Sequence, residues 1–179
     1  MIRWSRAVLL LATMSLAAAA SEAQQQGGSE RAYYRAVARY FDLPEGEIAI
    51  LADWEMPAEE IPVVLFMARR ASVSAEALVA LRESGRSWTQ LADRYQIGAR
   101  ALHVPLHDAG AAGRLAPLYD AFRDTPVDRW GDIRLSAEDI IALVNVRVLS
   151  QSLGLRPDEI MRRTADSSSF VEIYSQLIR

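Results

Sequence analysis

Apolar residues recur along this chain at helical rather than strand spacing, and polar caps cut the pattern into short segments. Tyr33, Val37, Tyr40 and Phe41 share one face of a helix predicted over Glu30 to Phe41, and Ile48 and Leu51 share a face within Pro44 to Trp54. Further helices are expected over Ala58 to Ala71, Ser74 to Ser84 and Ser87 to Tyr95. Gly85 stops the second of these, and Ser87 with Gln90 has the spacing of a capping box at the start of the third. After a Gly-, Ala- and Pro-rich stretch from Val104 to Gly113, a short helix is expected over Ala116 to Arg123 and a turn over Pro126 to Asp132. Ser136 and Asp139 then open what reads as the longest helix, closed by Gly154. Pro157 to Arg163 and Ser169 to Leu177, the latter capped by Ser169 and Glu172, complete the chain.

Two segments look like strands locally. Ile61 to Phe66 and Val144 to Val148 are rich in β-branched residues, but each runs without a turn signal into Met67-Ala68-Arg69-Arg70 or Leu149-Ser150-Gln151-Ser152. The resulting runs are too long for ordinary strands and end in helix-type stops. A helix apolar on nearly every side belongs in the middle of a bundle. These two are therefore expected to be the central helices, with Leu65 in the core.

A displaced copy of one pattern supports that layout. At one constant offset Ser87-Trp88-Thr89-Gln90-Leu91 falls on Ser169-Phe170-Val171-Glu172-Ile173, while Val73, Glu76 and Leu78 fall on Leu155, Asp158 and Ile160. Leu43 to Ile48 partly echoes Leu155 to Ile160. In each unit a helix ends, an apolar residue plugs the corner, a second helix starts, and a capped helix with a leading aromatic packs back. The expected fold is all-α: a compact bundle of short helices built from repeated helical hairpins around two apolar central helices.

The N-terminus changes the picture. Arg3 and Arg6 precede the apolar stretch Ala7 to Ala20, followed by the small residues Ser21 and Ala23 around Glu22. This is the pattern of a secretory signal peptide, and the apolar stretch is shorter than the ~20 residues a bilayer requires. Residues 1–23 read as that signal, 24–29 as a flexible spacer and 30–179 as a single helical domain. Cleavage is expected after Ala23, or after Ala20 as second choice. No other apolar stretch is long enough to cross a membrane, so the mature chain is expected to lack a span. The full chain has 20 basic and 23 acidic residues and a formal charge of −3. That balance argues against a polybasic, nucleic-acid-coating protein. There is no cysteine, which excludes disulfides and thiolate chemistry, and every basic residue is arginine, which excludes lysine Schiff bases and phosphate-loop lysines.

The stretch 75–102 resembles a helix-turn-helix unit of resolvases and sigma factors through Leu81-Arg82-Glu83-Ser84-Gly85-Arg86-Ser87-Trp88-Thr89-Gln90-Leu91-Ala92, with Ile97 and Leu102 at its core positions. That resemblance implies DNA binding. Against it, Gln96 stands where the turn usually has glycine, Pro105 truncates the would-be recognition helix, and Glu83 and Asp93 interleave with Arg82, Arg86, Arg94 and Arg100. A groove-reading helix needs length and a positive face. The match is read as a packing corner, with no nucleic-acid partner expected. The wider pattern from Ile61 to Arg70, then Val73-Ser74 and Leu81 to Trp88, resembles exported bacterial proteins to which no activity is assigned.

Chemistry-bearing residues are few. His103, His107 and Asp108 lie in one short segment and form the metal-binding alternative, although Pro105 between the histidines spoils helical spacing. Arg147 interrupts an apolar helix together with Asn145, so it requires a carboxylate or several carbonyls, or else anchors an anionic ligand. Trp54, Trp88 and Trp130 near helix ends are either core or a ligand- or partner-contacting groove. Glu59-Glu60 and Glu138-Asp139 sit at helix starts, where the helix dipole accounts for them. No Gly-x-Ser-x-Gly elbow occurs. The expectation is an exported, periplasmic or extracellular, non-enzymatic protein without cofactor that binds or scaffolds another envelope protein or peptide. The alternatives are a metal protein or enzyme using the His103/His107 loop, and a helix-turn-helix DNA-binding protein.

Overall fold

A computed structural model describes residues 24–44, 46–47, 50, 53–54, 56–167 and 169–178. The expected signal peptide, residues 1–23, lies outside them, as do Ile48 and Leu51 of the helix expected over Pro44 to Trp54. Among the described residues the structure is all-α, with no strand.

Among the described residues the first helix, α1, covers 24–41, so the helix expected from Glu30 also takes in residues 24–29, read from sequence as a spacer. A short 3-10 turn, Ala58–Glu60, leads into α2 (Ile61–Ala71), followed by α3 (Ala75–Glu83), α4 (Trp88–Arg94) and α5 (Ala99–Leu102). Then come α6 (Ala116–Asp124), a 3-10 segment Val127–Asp132, α7 (Ala137–Leu153), α8 (Pro157–Arg163) and α9 (Phe170–Leu177). Both strand-like segments are helical. At 17 residues α7 is exceeded by α1, so it is not the longest helix.

The boundaries follow from local chemistry. Ser87 accepts from Gln90 N–H while Gln90 reaches back to the Ser87 N–H, closing the predicted capping box, and Ser136 with Asp139 does the same for α7. Ser74 and Ser169 cap α3 and α9 through single bonds. Helix ends turn through left-handed residues at Asp42, Ser72, Gln96 and Gly154. The next residue in each case, Leu43, Val73, Ile97 or Leu155, sends its N–H back to the carbonyl of Ala38, Ala68, Ala92 or Ser150. Each corner is thereby closed by its own backbone, and each carries an apolar plug.

The core forms where α2 crosses α7. Ile61, Val63, Val64 and Met67 of α2 meet Ile140, Leu143, Val144 and Leu149 of α7, all fully buried. Leu65 does not belong to this set; it is half-buried and packs against the core from its edge. One residue of rotation places it on the flank of a helix whose neighbours at 64 and 66 point inward. α1 covers the crossing with Tyr33, Ala36, Val37 and Phe41. It is tied to α7 by Ser152 Oγ donating to the Ala36 carbonyl at 2.7 Å, and to α2 by Arg69 donating to the Phe41 carbonyl at 2.5 Å.

Candidate functional site

Arg147 projects from the middle of α7 to the end of α5. Its guanidinium donates to the carbonyls of Ala101 (3.2 Å), Leu102 (3.1 Å) and His103 (2.8 Å) and lies over the Phe66 ring at 5.0 Å. These are the orphan carbonyls of a short helix, and a cation there satisfies them. Burial lowers the affinity of this guanidinium for its proton, partly offset by Tyr40. Asn145, one face round, is fully buried and fully used. It accepts from the Tyr33 hydroxyl and donates to the carbonyls of Glu59 (2.9 Å) and Ile141 (2.8 Å). Burial, with the charges of Glu59 and Tyr34, raises the Tyr33 pKa well above its ordinary value, so the hydroxyl stays a donor.

The structure brings Arg147, His103 and Trp130 into one cluster. His103 stands 4.5 Å from the Trp130 ring and 4.6 Å from Phe122, with Tyr119 at 5.8 Å. Trp130 Nε1 donates to the carbonyls of Phe122 and Thr125. Burial, then the Arg147 charge, lowers the His103 pKa, which favours a neutral ring. Trp54 and Trp88 belong to a different place. Arg82 lies over the Trp88 ring at 4.7 Å and pairs with Glu60 at 2.8 Å, and Trp54 lines a recess of about 290 Å³ beside both. Trp88 itself is 1% exposed, a core residue whose Nε1 finds no acceptor.

The proposed ligand set His103, His107 and Asp108 is not assembled. His103 faces the aromatic cluster, whereas His107 is largely exposed, with Nδ1 at 3.5 Å from Asp158 Oδ2. Among the described residues no group of three or more His, Asp or Glu could hold a metal ion. Pro105 turns the chain between the two rings, which is why proximity in sequence does not become proximity in space. Asp158, which the sequence reading did not single out, is the fully buried partner of this loop: Oδ1 accepts the N–H groups of His107 (3.0 Å) and Asp108 (2.8 Å). Burial alone would raise its pKa; the N–H groups of Asp108, Asp158 and His107 and the His107 ring outweigh that and hold the carboxyl below its usual range. The sequence gives no signal of this role, because in the helix Pro157–Arg163 Asp158 stands beside Glu159 at the N-terminal end, where acidic residues are ordinary.

The adjacent carboxylates also have specific partners. Glu59 accepts the Phe170 N–H at 2.6 Å, joining the start of α2 to the start of α9, and Glu60 takes Arg82. The helix dipole alone, invoked from sequence, does not describe them. In the stretch resembling a helix-turn-helix, Gln96 adopts the left-handed turn at φ 55°, but α5 has only 4 residues. Ala99 and Leu102 of α5 are fully buried, and Arg100 donates to the Val127 carbonyl.

Exposed features lie elsewhere. A groove of about 520 Å³ runs between α1 and α9, and another of about 460 Å³ lies between α6 and the start of α7. No protein-family model, curated protein or solved structure matches the chain.

Proposed function

We propose that this is an exported protein of the bacterial envelope that acts by binding or scaffolding another envelope protein or peptide, not by catalysis. Export rests on Arg3, Arg6, the apolar stretch to Ala20 and the small residues Ser21 and Ala23. The observation that carries the scaffolding role is how the chemistry-bearing side chains are employed. Arg147 holds three carbonyls, Asp158 holds two loop N–H groups, Asn145 joins α1 to α7, and Glu59 joins α2 to α9. Each is spent on fixing helices relative to one another, as a rigid presenting surface requires.

The frame is read as repeated hairpins. Ser72 and Gly154 turn left-handed at corresponding positions, Ser87 and Ser169 cap corresponding helices, and Trp88 and Phe170 are buried directly after them. Such units suit a protein whose work is to present a surface. Intact-mass measurement on protein from the envelope fraction tests export, with a chain starting at Gln24 or Ser21 expected. Full-length chain in the cytoplasm overturns the reading and returns the DNA-binding alternative. Cross-linking in living cells should join the mature chain to a defined envelope protein.

A further inference from the structure

Between residues 31 and 41 of α1 the solvent-exposed side chains are Arg31, Arg35 and Arg39, with Tyr40 half-buried and the rest inside. Spacing of four puts the three guanidinium groups on one edge, about 6 Å apart along the axis. Like charges at that spacing disfavour the helix locally. Elsewhere the chain uses mixed signs on an exposed face, as where Arg123 pairs with Asp120 and Asp124 on α6. Here, among the described residues, Arg31 and Arg35 have no ion pair, and Arg39 reaches the Tyr174 hydroxyl at 3.4 Å. A local cost that Arg31 and Arg35 bear without an ion pair among the described residues marks a place used for something other than folding.

The arginine edge borders the groove between α1 and α9. Arg35 and Arg39 line it with Asp42, Leu43 and the small, buried Ala32 and Ala38 of its floor, and Tyr174 and Ile178 line it from the α9 side; Arg31 continues the edge one turn beyond the lining. Ile178 is 48% exposed and one of three large exposed apolar side chains among the described residues. We infer that this groove docks an acidic helical segment of a partner protein, with carboxylates one helical turn apart meeting Arg31, Arg35 and Arg39 and an apolar residue lying against Ala32, Ala38 and Ile178. This inference rests on the binding role proposed above and names the partner's chemistry.

Charge complementarity selects that occupant. The chain as a whole carries a formal charge of −3, and three exposed arginines in register on one edge give an acidic partner a local attraction that the mixed-sign faces do not. The small floor residues let a helix approach closely, and the spacing of the guanidinium groups matches successive turns of a second helix. Neither a free anion nor a flat lipid surface would use the recessed apolar floor.

The test is titration of the isotope-labelled protein, as recovered from cells, with a short helical peptide carrying glutamate at every fourth position and leucine between. The amides of Arg35, Ala38, Arg39, Leu43 and Ile178 are expected to shift, with an affinity that falls as salt rises. The variant Arg35→Gln/Arg39→Gln should lose about tenfold or more in affinity. Its circular dichroism should stay unchanged, because both side chains are exposed. Arg35→Lys/Arg39→Lys should retain most of the binding, and the surface control Arg163→Gln all of it. Unchanged affinity in the glutamine variant, equal binding of a lysine-substituted peptide, or shifts confined to other faces overturns the inference. So does binding of phosphatidylglycerol vesicles in place of the peptide. An envelope partner cross-linked through another face would remove the groove and leave the binding role standing.

Discussion

Asn145 shows how much a single polar side chain can fix when every one of its bonds is made. Its carbonyl takes the Tyr33 hydroxyl and its amide serves two backbone carbonyls, so α1, the start of α2 and α7 meet at one fully satisfied point. Tyr33→Phe removes the donor and leaves a buried acceptor without a partner, which should cost about 1 to 3 kcal/mol in urea unfolding. A change below a few tenths would mean the hydroxyl bond is not made. The sequence flagged Asn145 as an interruption of an apolar helix, but its partner lies far away along the chain, and no local pattern could supply it. Asp158 was missed for the same reason, since the N–H groups it holds belong to a loop that only the fold brings near. His103 carries a pH consequence. Its pKa is lowered from 6.5 in the folded protein, by burial and then by Arg147, so the unfolded chain takes up the proton more readily. The stability gained from keeping the ring neutral is complete above the unfolded-state value and is lost as pH falls below it. The urea midpoint should therefore drop between about pH 7.5 and 5.5, and His103→Phe, which keeps a ring in the aromatic cluster, should flatten that drop. An unchanged slope in the variant would assign the pH dependence to another group.

At the scale of helices and corners, local rules carried most of the reading. Caps act within four residues, so Ser87 with Gln90, Ser136 with Asp139 and the stop at Gly154 could be read directly, and the structure has each of them. That residues 24–29 are helical was not legible, because three glutamines followed by two glycines resemble a spacer, while propagation from residues 30–41 carries the helix back through them. Two glycines separate conformational demand from close approach. Gly154 sits at φ 66° with open space around it, so Gly154→Ala strains the backbone alone, at about 1 kcal/mol. Gly113, at φ 55°, has no such space: a Cβ there would fall on the Met161 carbonyl oxygen and at 2.5 Å from Thr164 Oγ1. Gly113→Ala should lower the melting temperature well beyond Gly154→Ala; equal losses would show that the approach of Gly113 to α8 relaxes freely. The leading aromatics follow a similar ordering. Trp88→Ala opens a cavity in the core and should cost about 3 to 5 kcal/mol, while Ser87→Ala loses a cap worth about 1 kcal/mol. Trp88→Phe should fall near the lower figure, because it also removes an indole N–H that has no acceptor. Burial of Trp88 at 1% exposure makes it a packing residue, and stability intact in Trp88→Ala would contradict that placement.

For the whole molecule, what counts is that α1 is part of the core and also the first helix after the expected cleavage site. Without cysteine, nothing but packing and hydrogen bonds ties it down. It contributes four fully or nearly fully buried apolar side chains over the crossing of α2 and α7, and Tyr33 lies edge-on to Tyr174 of α9 at 6.2 Å. Uncovering that crossing would expose Val37 and Phe41 contacts worth about 1.5 to 3 kcal/mol each, against a total stability of about 5 to 15 kcal/mol for a domain. Cleavage after Ala20 or Ala23 leaves residues 24–41 in place, so processing and folding are compatible only if the cut falls before this helix. A chain starting at Gln24 should therefore unfold in one cooperative transition, with fluorescence of the tryptophans and far-ultraviolet circular dichroism coinciding. A chain starting at Asp42 should lose that cooperativity and bind hydrophobic dyes, because it lacks the buried Tyr33, Ala36, Val37 and Phe41 that cover α2 and α7. If the shorter chain keeps the same sharp transition, α1 is an appendage to a core complete without it, and its arginine edge would be free to move away from α9.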